Sequence, residues 1–161
     1  MYEEAFKNID DVFWKDAGCS SELDYIEQTS WILFLKYLDD YEAEKETAAI
    51  LNGETYERII DKEFRWKEWA YPETTDGKLN YDIALTGDDL LEFVNKELFP
   101  HLAGFKQSAE NPKSIDYKIG EIFSELRNKL QSGYSLRDVI NKVNDLKFLS
   151  NKEKLELSSL Y

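Results

Sequence analysis

Apolar residues recur at helical spacing from the first residues of the chain. Tyr2, Phe6, Ile9 and Phe13 lie three or four positions apart, which predicts a short amphipathic helix. The segment 16–21, with the sequence DAGCSS, interrupts this spacing with small and polar residues. We therefore expect the first helix to end at this segment.

A much longer helix is predicted from about Glu22 to Leu51. Its centre, residues 31–38, is apolar nearly all round, so we expect this part to be the buried rod of the domain. The stretch 39–46 is acidic and is expected to be solvated, and Asn52 and Gly53 suit a helix end. The stripe expected to face the core comprises Leu23, Ile26, Ser30, Leu33, Phe34, Tyr37, Leu38 and Tyr41.

The stretch 55–85 gives mixed signals. Tyr56, Ile59 and Ile60 suggest a short helix, whereas the alternation FRW at 64–66 suggests a short strand. The sequence TTDG at 74–77 is typical of a turn. We expect a small irregular insertion near residues 61–85, with a short β-strand as one form. Its aromatic residues favour anchoring on the core, and a base-stacking platform is the alternative.

The next helix is expected to begin at Thr86, whose side chain can cap the first turn. Leu90, Leu91, Val94 and Leu98 form one apolar face of it. The pair 99–100 (FP) is expected to end this helix, because proline lacks a backbone N–H. The polar segment 107–112 is then expected to be a loop.

Three helices are predicted for the rest of the chain. An apolar stripe from Ile115 to Leu130 predicts one helix, ended by Gly133, and a second begins near Ser135. The third begins with a capping box at residues 150–153 and meets no stop signal before Tyr161. We therefore expect an all-α helical bundle around a long central helix. We also expect residues 1–161 to be a single domain from a longer protein.

The charge of the chain limits its partners. The net charge is −13, yet residues 113–154 hold nine Lys and Arg against six Asp and Glu, so the acidity lies in the first 112 residues. Such acidity argues against a broad nucleic-acid surface, which depends on Lys and Arg neutralising phosphates. A single cysteine and the lack of a signal peptide favour a cytoplasmic location, and no run is long enough to span a membrane.

Catalytic patterns are scarce. No two glycines lie close enough for a phosphate-binding loop, and one His and one Cys cannot build a zinc site. We interpret His101 and Cys19 as structural residues. The acid pairs 10–11, 39–40 and 88–89 could in principle bind a metal in a hydrolase, but acidic residues are frequent and neighbouring helical positions diverge. We interpret these pairs as solvated faces, with no metal site.

The last third of the chain offers cations that could touch DNA phosphates. The alternative is ordinary helix surface, because acids such as Glu121, Glu125 and Asp138 lie beside them. The candidates for phosphate contact are Lys118, Arg127, Lys129, Arg137, Lys142 and Lys147.

Several blocks of sequence together resemble a known family. They are DDVFWKDAGC at 10–19, ELDY at 22–25 and WILFLKYLDD at 31–40, followed by the segments 64–72, 86–90 and 152–161. The combination is similar to the start of the methyltransferase (M) subunits of type I restriction–modification systems. The resemblance covers essentially the whole chain, although no single block is diagnostic.

This resemblance implies a helical domain that precedes a catalytic domain. In the family, the catalytic domain binds S-adenosylmethionine and methylates adenine, and two M subunits assemble with one DNA-specificity subunit, which a restriction subunit can join. The glycine-containing cofactor motif and the Asn-Pro-Pro-aromatic motif are missing here, and residues 111–113 (NPK) are the nearest approach. We therefore expect no catalytic or cofactor-binding residues in this fragment and S-adenosylmethionine only in its parent.

The resemblance implies an assembly and DNA-clamping domain of an adenine-specific methyltransferase subunit. Its expected partners are the specificity subunit, a second methyltransferase subunit, the restriction subunit and duplex DNA. The acidic composition supports a rival hypothesis, in which the chain is a helical adaptor or DNA mimic that binds a basic protein. The DNA target cannot be read from the sequence, because specificity in this family resides in another subunit.

Overall fold

The computed structural model describes residues 3–146. These residues form helices and connecting segments, and in this range the only β pairing is an isolated bridge between Glu73 and Leu79. The predicted all-α class is therefore confirmed. The α-helices are α1 (Glu3–Trp14), α2 (Glu22–Leu51), α3 (Gly87–Phe93), α4 (Phe99–Ala103), α5 (Phe105–Ser108), α6 (Ile115–Glu125) and α7 (Gly133–Asn144).

The first two helices follow their sequence signals. Phe6, Ile9 and Phe13 of α1 are buried, as predicted. Ser21 caps α2 by accepting a hydrogen bond from the backbone N–H of Asp24. The helix ends where Gly53 adopts a φ of 72°, a left-handed conformation that glycine tolerates best. The predicted ends of α2 are thus confirmed.

The face of α2 that packs on the core differs from the predicted one. Leu23, Ile26 and Tyr37 are exposed, so the predicted stripe is wrong at these positions. The centre of the helix is apolar on several sides, and periodicity alone therefore could not select the buried side. The buried residues of α2 are Gln28, Thr29, Trp31, Ile32, Leu35, Lys36, Leu38, Asp39 and Glu42.

The segment between α2 and α3 contains no strand at residues 64–66 and no α-helix at residues 56–60, so both predictions are wrong. Instead, Lys62–Phe64 forms a 3-10 turn and Trp66–Ala70 forms a π-helical turn. Trp66 and Trp69 are buried, and Trp66 Nε1 donates a hydrogen bond of 2.9 Å to Asn144 Oδ1 of α7. The aromatic residues therefore anchor this segment to the core.

Pro100 does not end the helix that begins at Gly87. A π-helical turn, Val94–Leu98, lies just before the proline and connects α3 to α4. Proline removes one hydrogen bond and crowds the carbonyl four residues earlier, and a wider turn at this place accommodates both effects. Thr86 is at the N-cap position, but its side chain makes no capping hydrogen bond. The predicted loop at 107–112 is partly helical, since α5 reaches Ser108.

The predicted helix through Leu130 is shorter than expected. α6 ends at Glu125, residues 126–132 follow without helical structure, and α7 begins at Gly133 rather than Ser135. Ser132 caps α7 by accepting from the backbone N–H of Ser135. The capping box at 150–153 and the last predicted helix lie outside the described residues.

An aromatic chain crosses the core and links three helices. Trp31 of α2 packs edge-on against Phe99 of α4 with ring centroids 4.9 Å apart. Phe99 in turn packs edge-on against Phe123 of α6 at 5.1 Å, and Phe34 of α2 lies 6.3 Å from Phe123. Edge-to-face contacts at these separations stabilise aromatic cores beyond simple burial. One face of the middle of α2 therefore packs against α4 and α6 in the core of the bundle.

Candidate docking surface and nucleic-acid interface

Residues 126–132 form a non-helical segment, called the strap here, that two buried polar side chains hold in place. The Asp16 carboxylate accepts the backbone N–H groups of Gln131 at 3.0 Å and Ser132 at 3.1 Å. Gln28 donates to the carbonyl of Arg127 and accepts from the N–H of Lys129. These bonds replace the helical hydrogen bonds that the apolar spacing of 115–130 had predicted.

Gln28 also connects the strap to the aromatic core. Its side-chain oxygen accepts a hydrogen bond of 2.8 Å from Trp31 Nε1. The side chain is fully buried, and both ends of its amide are hydrogen-bonded. A buried amide with every group satisfied fixes the position of its partners, because leaving any of them unpaired is costly.

Arg137 lies in the interior, and its guanidinium binds groups of the protein itself. Its guanidinium donates to the carbonyl oxygens of Leu85 at 3.0 Å and Ala70 at 2.6 Å and to the side chain of Asn141. The residue is only 7% exposed, and burial lowers the pKa of the guanidinium from its usual value. Its selection as a surface cation is therefore corrected: this arginine joins α7 to the segment before α3.

Two further candidates are engaged in ion pairs. Lys129 of the strap lies 2.7 Å from Asp24 and 3.7 Å from Glu27, both on α2. The hydrogen bond from Lys129 is the main cause that lowers the pKa of Asp24 to about 2, and the same bond raises the pKa of Lys129. Lys142 pairs with Asp138 one turn away on α7. These ion pairs favour the alternative in which Lys129 and Lys142 are ordinary surface residues, because their charges are already paired with acids.

The remaining candidates differ in what surrounds them. Lys118 of α6 and Arg127 of the strap are exposed, and within residues 3–146 neither charged group has a hydrogen-bond or ion-pair partner. Lys147 lies outside the described residues. Phosphate contact by Lys118 and Arg127 therefore stays a prediction that their geometry permits.

The acidic end of α2 is partly buried, contrary to the solvated face that was expected. Glu42 accepts the backbone N–H of Ile59 at 2.5 Å and the Tyr56 hydroxyl at 3.0 Å. Asp39 lies 3.4 Å from the Arg58 guanidinium. Burial raises the pKa of Asp39, and the charge of Arg58 opposes that rise. These two acids hold the segment after α2 against the helix instead of facing solvent.

Cys19 and His101 have the surroundings of structural residues. Cys19 is buried in the core cluster, and burial raises the pKa of its thiol to about 11, with Asp16 and Asp24 adding to the rise. A nucleophilic cysteine needs the opposite shift. His101 stacks on Phe64 with ring centroids 3.9 Å apart and packs edge-on against Phe105.

No group of three or more His, Cys, Asp or Glu side chains among residues 3–146 is placed to hold a metal ion. In the same range, no helix has both the length and the apolar character needed to cross a membrane. The acid pair at 88–89 is exposed, whereas Asp39 of the pair 39–40 is buried beside Arg58. These acids do not converge on a common point that could bind a cation.

One side of α2 presents apolar residues outward. Leu23 is 71% exposed, Ile26 is 45% exposed and Tyr37 is 38% exposed. Together with Ser30 and Leu33, which are half-buried, they occupy positions three and four residues apart. Residues at this spacing lie along one face of a helix. This set of five residues, called the α2 stripe here, places three exposed apolar side chains along one helix face, and grouped exposed apolar side chains mark candidate docking surfaces.

The chain matches a family model over most of its length. The model describes the HsdM N-terminal domain and covers residues 3–143. The chain is also 35% identical over 156 residues to the EcoEI methylase subunit of a type I restriction enzyme from Escherichia coli. That match covers 96% of this chain and 29% of the relative, so the chain spans less than a third of that protein.

Two solved structures share the fold. One is a modification subunit assigned to a type I restriction enzyme from Vibrio vulnificus YJ016, with a TM-score of 0.83 and 32% identity over 98% of this chain and 33% of that chain. The other comes from work on complex assembly and conformational transition of the type I R-M system, with a TM-score of 0.71 and 30% identity over 98% of this chain and 28% of that chain. The chain belongs to the HsdM N-terminal domain family, and the resemblance to type I methyltransferase subunits is confirmed.

Proposed function

We propose that this domain docks the subunits of a type I restriction–modification complex and helps that complex to close on DNA. The observation that carries the proposal is the α2 stripe, which leaves Leu23, Ile26 and Tyr37 exposed along one face of the longest helix. Burial of such side chains against a partner is favourable by about 25 cal/mol per Å² of apolar surface. The related modification subunits support the same reading, since one of them comes from a study of complex assembly.

The proposed partners are the DNA-specificity subunit, a second methyltransferase subunit and the restriction subunit. The chain spans 29% of the Escherichia coli methylase subunit, and we assign methylation to the rest of the parent subunit because the cofactor and catalytic motifs of the family are missing here. For the parent subunit we expect S-adenosylmethionine as methyl donor, adenine as target and a cytoplasmic location. Within this domain the role is to position subunits, not to make bonds.

DNA contact is proposed for a small number of cations. Lys118 and Arg127 are the candidates within residues 3–146 whose charged groups have no acidic partner. Two phosphate contacts supply little affinity alone, because each neutralised phosphate contributes separately. They can nevertheless steady DNA that a specificity subunit already holds, which is the sense of clamping intended here.

The net charge of −13 supports the rival role of an acidic adaptor or DNA mimic. A DNA-binding titration separates the two roles. The affinity of the specificity subunit for its duplex is measured with and without this chain at constant salt. A clamp domain strengthens the binding of DNA, whereas a mimic competes with DNA and weakens it.

A charge-reversal pair tests the two cations in the same assay. The double variant Lys118→Glu and Arg127→Glu is compared with Lys7→Glu and Lys45→Glu, which makes the same change of net charge at exposed positions of α1 and α2. We expect the first pair to abolish the strengthening by this chain and the control pair to preserve it. If both double variants changed the DNA affinity equally, a local phosphate contact would be rejected, and only a long-range effect of net charge would remain.

A further inference from the structure

A groove of about 440 Å³ lies between the π-helical turn Val94–Leu98, α4 and the junction of α6 with the strap. Its apolar lining includes Phe99, Phe123 and Leu126. Phe99 and Phe123 are buried members of the aromatic chain and pack edge-on against each other. Their fixed positions make this side of the groove a preformed apolar surface, since core side chains at native packing density do not rearrange freely.

The hydrogen bonds at the rim determine which polar groups are free. The backbone N–H of Leu130 donates to the side chain of Asn128. A backbone N–H can only donate, so the atom of Asn128 that accepts is Oδ1, and the other end of the Asn128 side-chain amide is its NH₂ group. That NH₂ group donates to Asn95 Oδ1 at 3.1 Å. The amide of Asn95 must therefore present its own NH₂ group as the end without a partner among the described residues.

The second free donor at the rim is the guanidinium of Arg127. Its backbone carbonyl accepts from Gln28, which fixes the start of the strap, while the side chain is exposed and has no acidic partner within residues 3–146. The side-chain donors of Asn95 and Arg127 at this rim favour an acceptor, and the charge of Arg127 favours an anion.

We propose that this groove binds an extended segment of a partner protein in which a bulky apolar side chain lies next to an Asp or Glu. The apolar side chain packs on Phe99, Phe123 and Leu126, and the neighbouring carboxylate accepts hydrogen bonds from Arg127 and Asn95. The DNA phosphate proposed above as a contact of Arg127 would compete with the partner segment for these donors, but it would leave the apolar lining uncovered. A long polyanion is also repelled by the acidic chain, whereas a short segment with one or two carboxylates is repelled much less.

This inference deepens the proposed docking role, and its test uses peptides and this chain alone. The probe is a capped, dye-labelled peptide with the sequence Gly-Ser-Asp-Phe-Asp-Ser-Gly, measured by fluorescence polarisation. Two comparison peptides replace both Asp residues by Asn or the Phe by Ala. We expect both comparison peptides to bind at least about fivefold more weakly than the probe.

Two variants of the chain locate the binding to the groove. Arg127→Gln removes the charge at the rim, with Lys7→Gln at an exposed position of α1 as its matched control. Ser124→Phe fills the groove from an exposed lining position, with Glu121→Phe as its control. We expect Arg127→Gln and Ser124→Phe to weaken the probe at least about fivefold and the controls to leave it unchanged. Thermal unfolding of each variant shows whether a loss of binding is a loss of fold.

Nuclear magnetic resonance gives an independent reading, because the Asn95 side-chain NH₂ and the Arg127 Nε–H should shift when the probe binds. The absence of probe binding, or equal binding of all three peptides, would overturn the proposal. A 12-base-pair duplex that shifts these signals when the probe does not would make the groove a phosphate site instead. Assembly with the specificity subunit can persist in any of these cases, so the two proposals fail separately.

Discussion

The Asp16 carboxylate, two residues after α1, accepts the backbone N–H of Gln131 at 3.0 Å across 115 positions of sequence. The same carboxylate accepts from Ser132 and from the nearby Gly18. It therefore joins the turn after α1 to the strap just before α7. The N-terminal and C-terminal parts of the described chain are held together at this point by hydrogen bonds to a single side chain.

Replacing Asp16 by Ala should destabilise the domain strongly. Three backbone N–H groups would lose a charged acceptor. A hydrogen bond to a charged group contributes about 1.5 to 3 kcal/mol to stability. We expect a loss of at least about 3 kcal/mol in the free energy of unfolding, measured by urea denaturation. Asp11→Ala, at an exposed position of α1, should change it by less than about 0.5 kcal/mol. Similar values for the two variants would contradict the proposed role of Asp16.

Gly18 should tolerate no side chain. A methyl group at this position would overlap the backbone carbonyl of Lys129, and backbone atoms of the strap cannot move without breaking the bonds to Gln28 and Asp16. We expect Gly18→Ala to lower the free energy of unfolding by about 3 kcal/mol. Gly104→Ala is the control, because its added methyl group would meet only the carbonyl oxygens of Pro100 and His101 at 3.2 Å or more. A stable Gly18→Ala protein would show that the strap packs differently.

Arg137 should behave as a structural residue in a denaturation experiment. Arg137→Met leaves the carbonyls of Ala70 and Leu85 without their donors, so we expect a loss of about 3 kcal/mol in the free energy of unfolding. Lys142→Met removes only an ion pair on the surface of α7 and should cost less than about 1 kcal/mol. If Arg137→Met were fully stable and instead reduced DNA binding by the assembled complex, the original surface assignment would be restored.

The pair of Asp24 and Lys129 should produce a measurable pH dependence. The folded pKa of Asp24 is lowered to about 2, below the ordinary aspartate pKa of 3.8, so the carboxylate stabilises the fold above the unfolded pKa. That stabilisation is lost as the pH falls through the interval from 3.8 to about 2. A carbon-13 titration of the Asp24 carboxyl should give this low value in the parent protein. The same titration in Lys129→Met should give a clearly higher value, and an unchanged value would show that the hydrogen bond is not its cause.

The sequence predicted the fold class and the ends of α2, because Ser21 and Gly53 act through local backbone geometry. It could not predict the buried face of α2, since Trp31, Ile32 and Leu35 form a second apolar face beside the predicted stripe. The burial of Glu42 was also missed. A carboxylate in a run of acids gives no sign that two backbone N–H groups from residues 59 and 60 will bind it.

The limits of the sequence are similar at the candidate site. Apolar spacing extended α6 to Leu130, but the strap leaves the helix because Gln28 and Asp16, both distant in sequence, bind its backbone. The six candidate cations were chosen by type and position alone. Tertiary contacts then separate Arg137, which is buried, from Lys118 and Arg127, which stay available. The groove could not be predicted from the sequence, because its lining residues come from the π-helical turn, α4, α6 and the strap and meet only in the folded chain.

The most direct test of the docking role is to change the α2 stripe and measure assembly. The triple variant Leu23→Ser, Ile26→Ser and Tyr37→Ser removes the exposed apolar side chains of the stripe. The control is the double variant Ile50→Ser and Leu51→Ser, which removes exposed apolar side chains at the C-terminal end of the same helix. Each chain is titrated into the specificity subunit of the same system and followed by sedimentation velocity. We expect the triple variant to bind at least about tenfold more weakly than the parent and the control to bind equally well. Binding of the triple variant with the affinity of the parent would contradict the account.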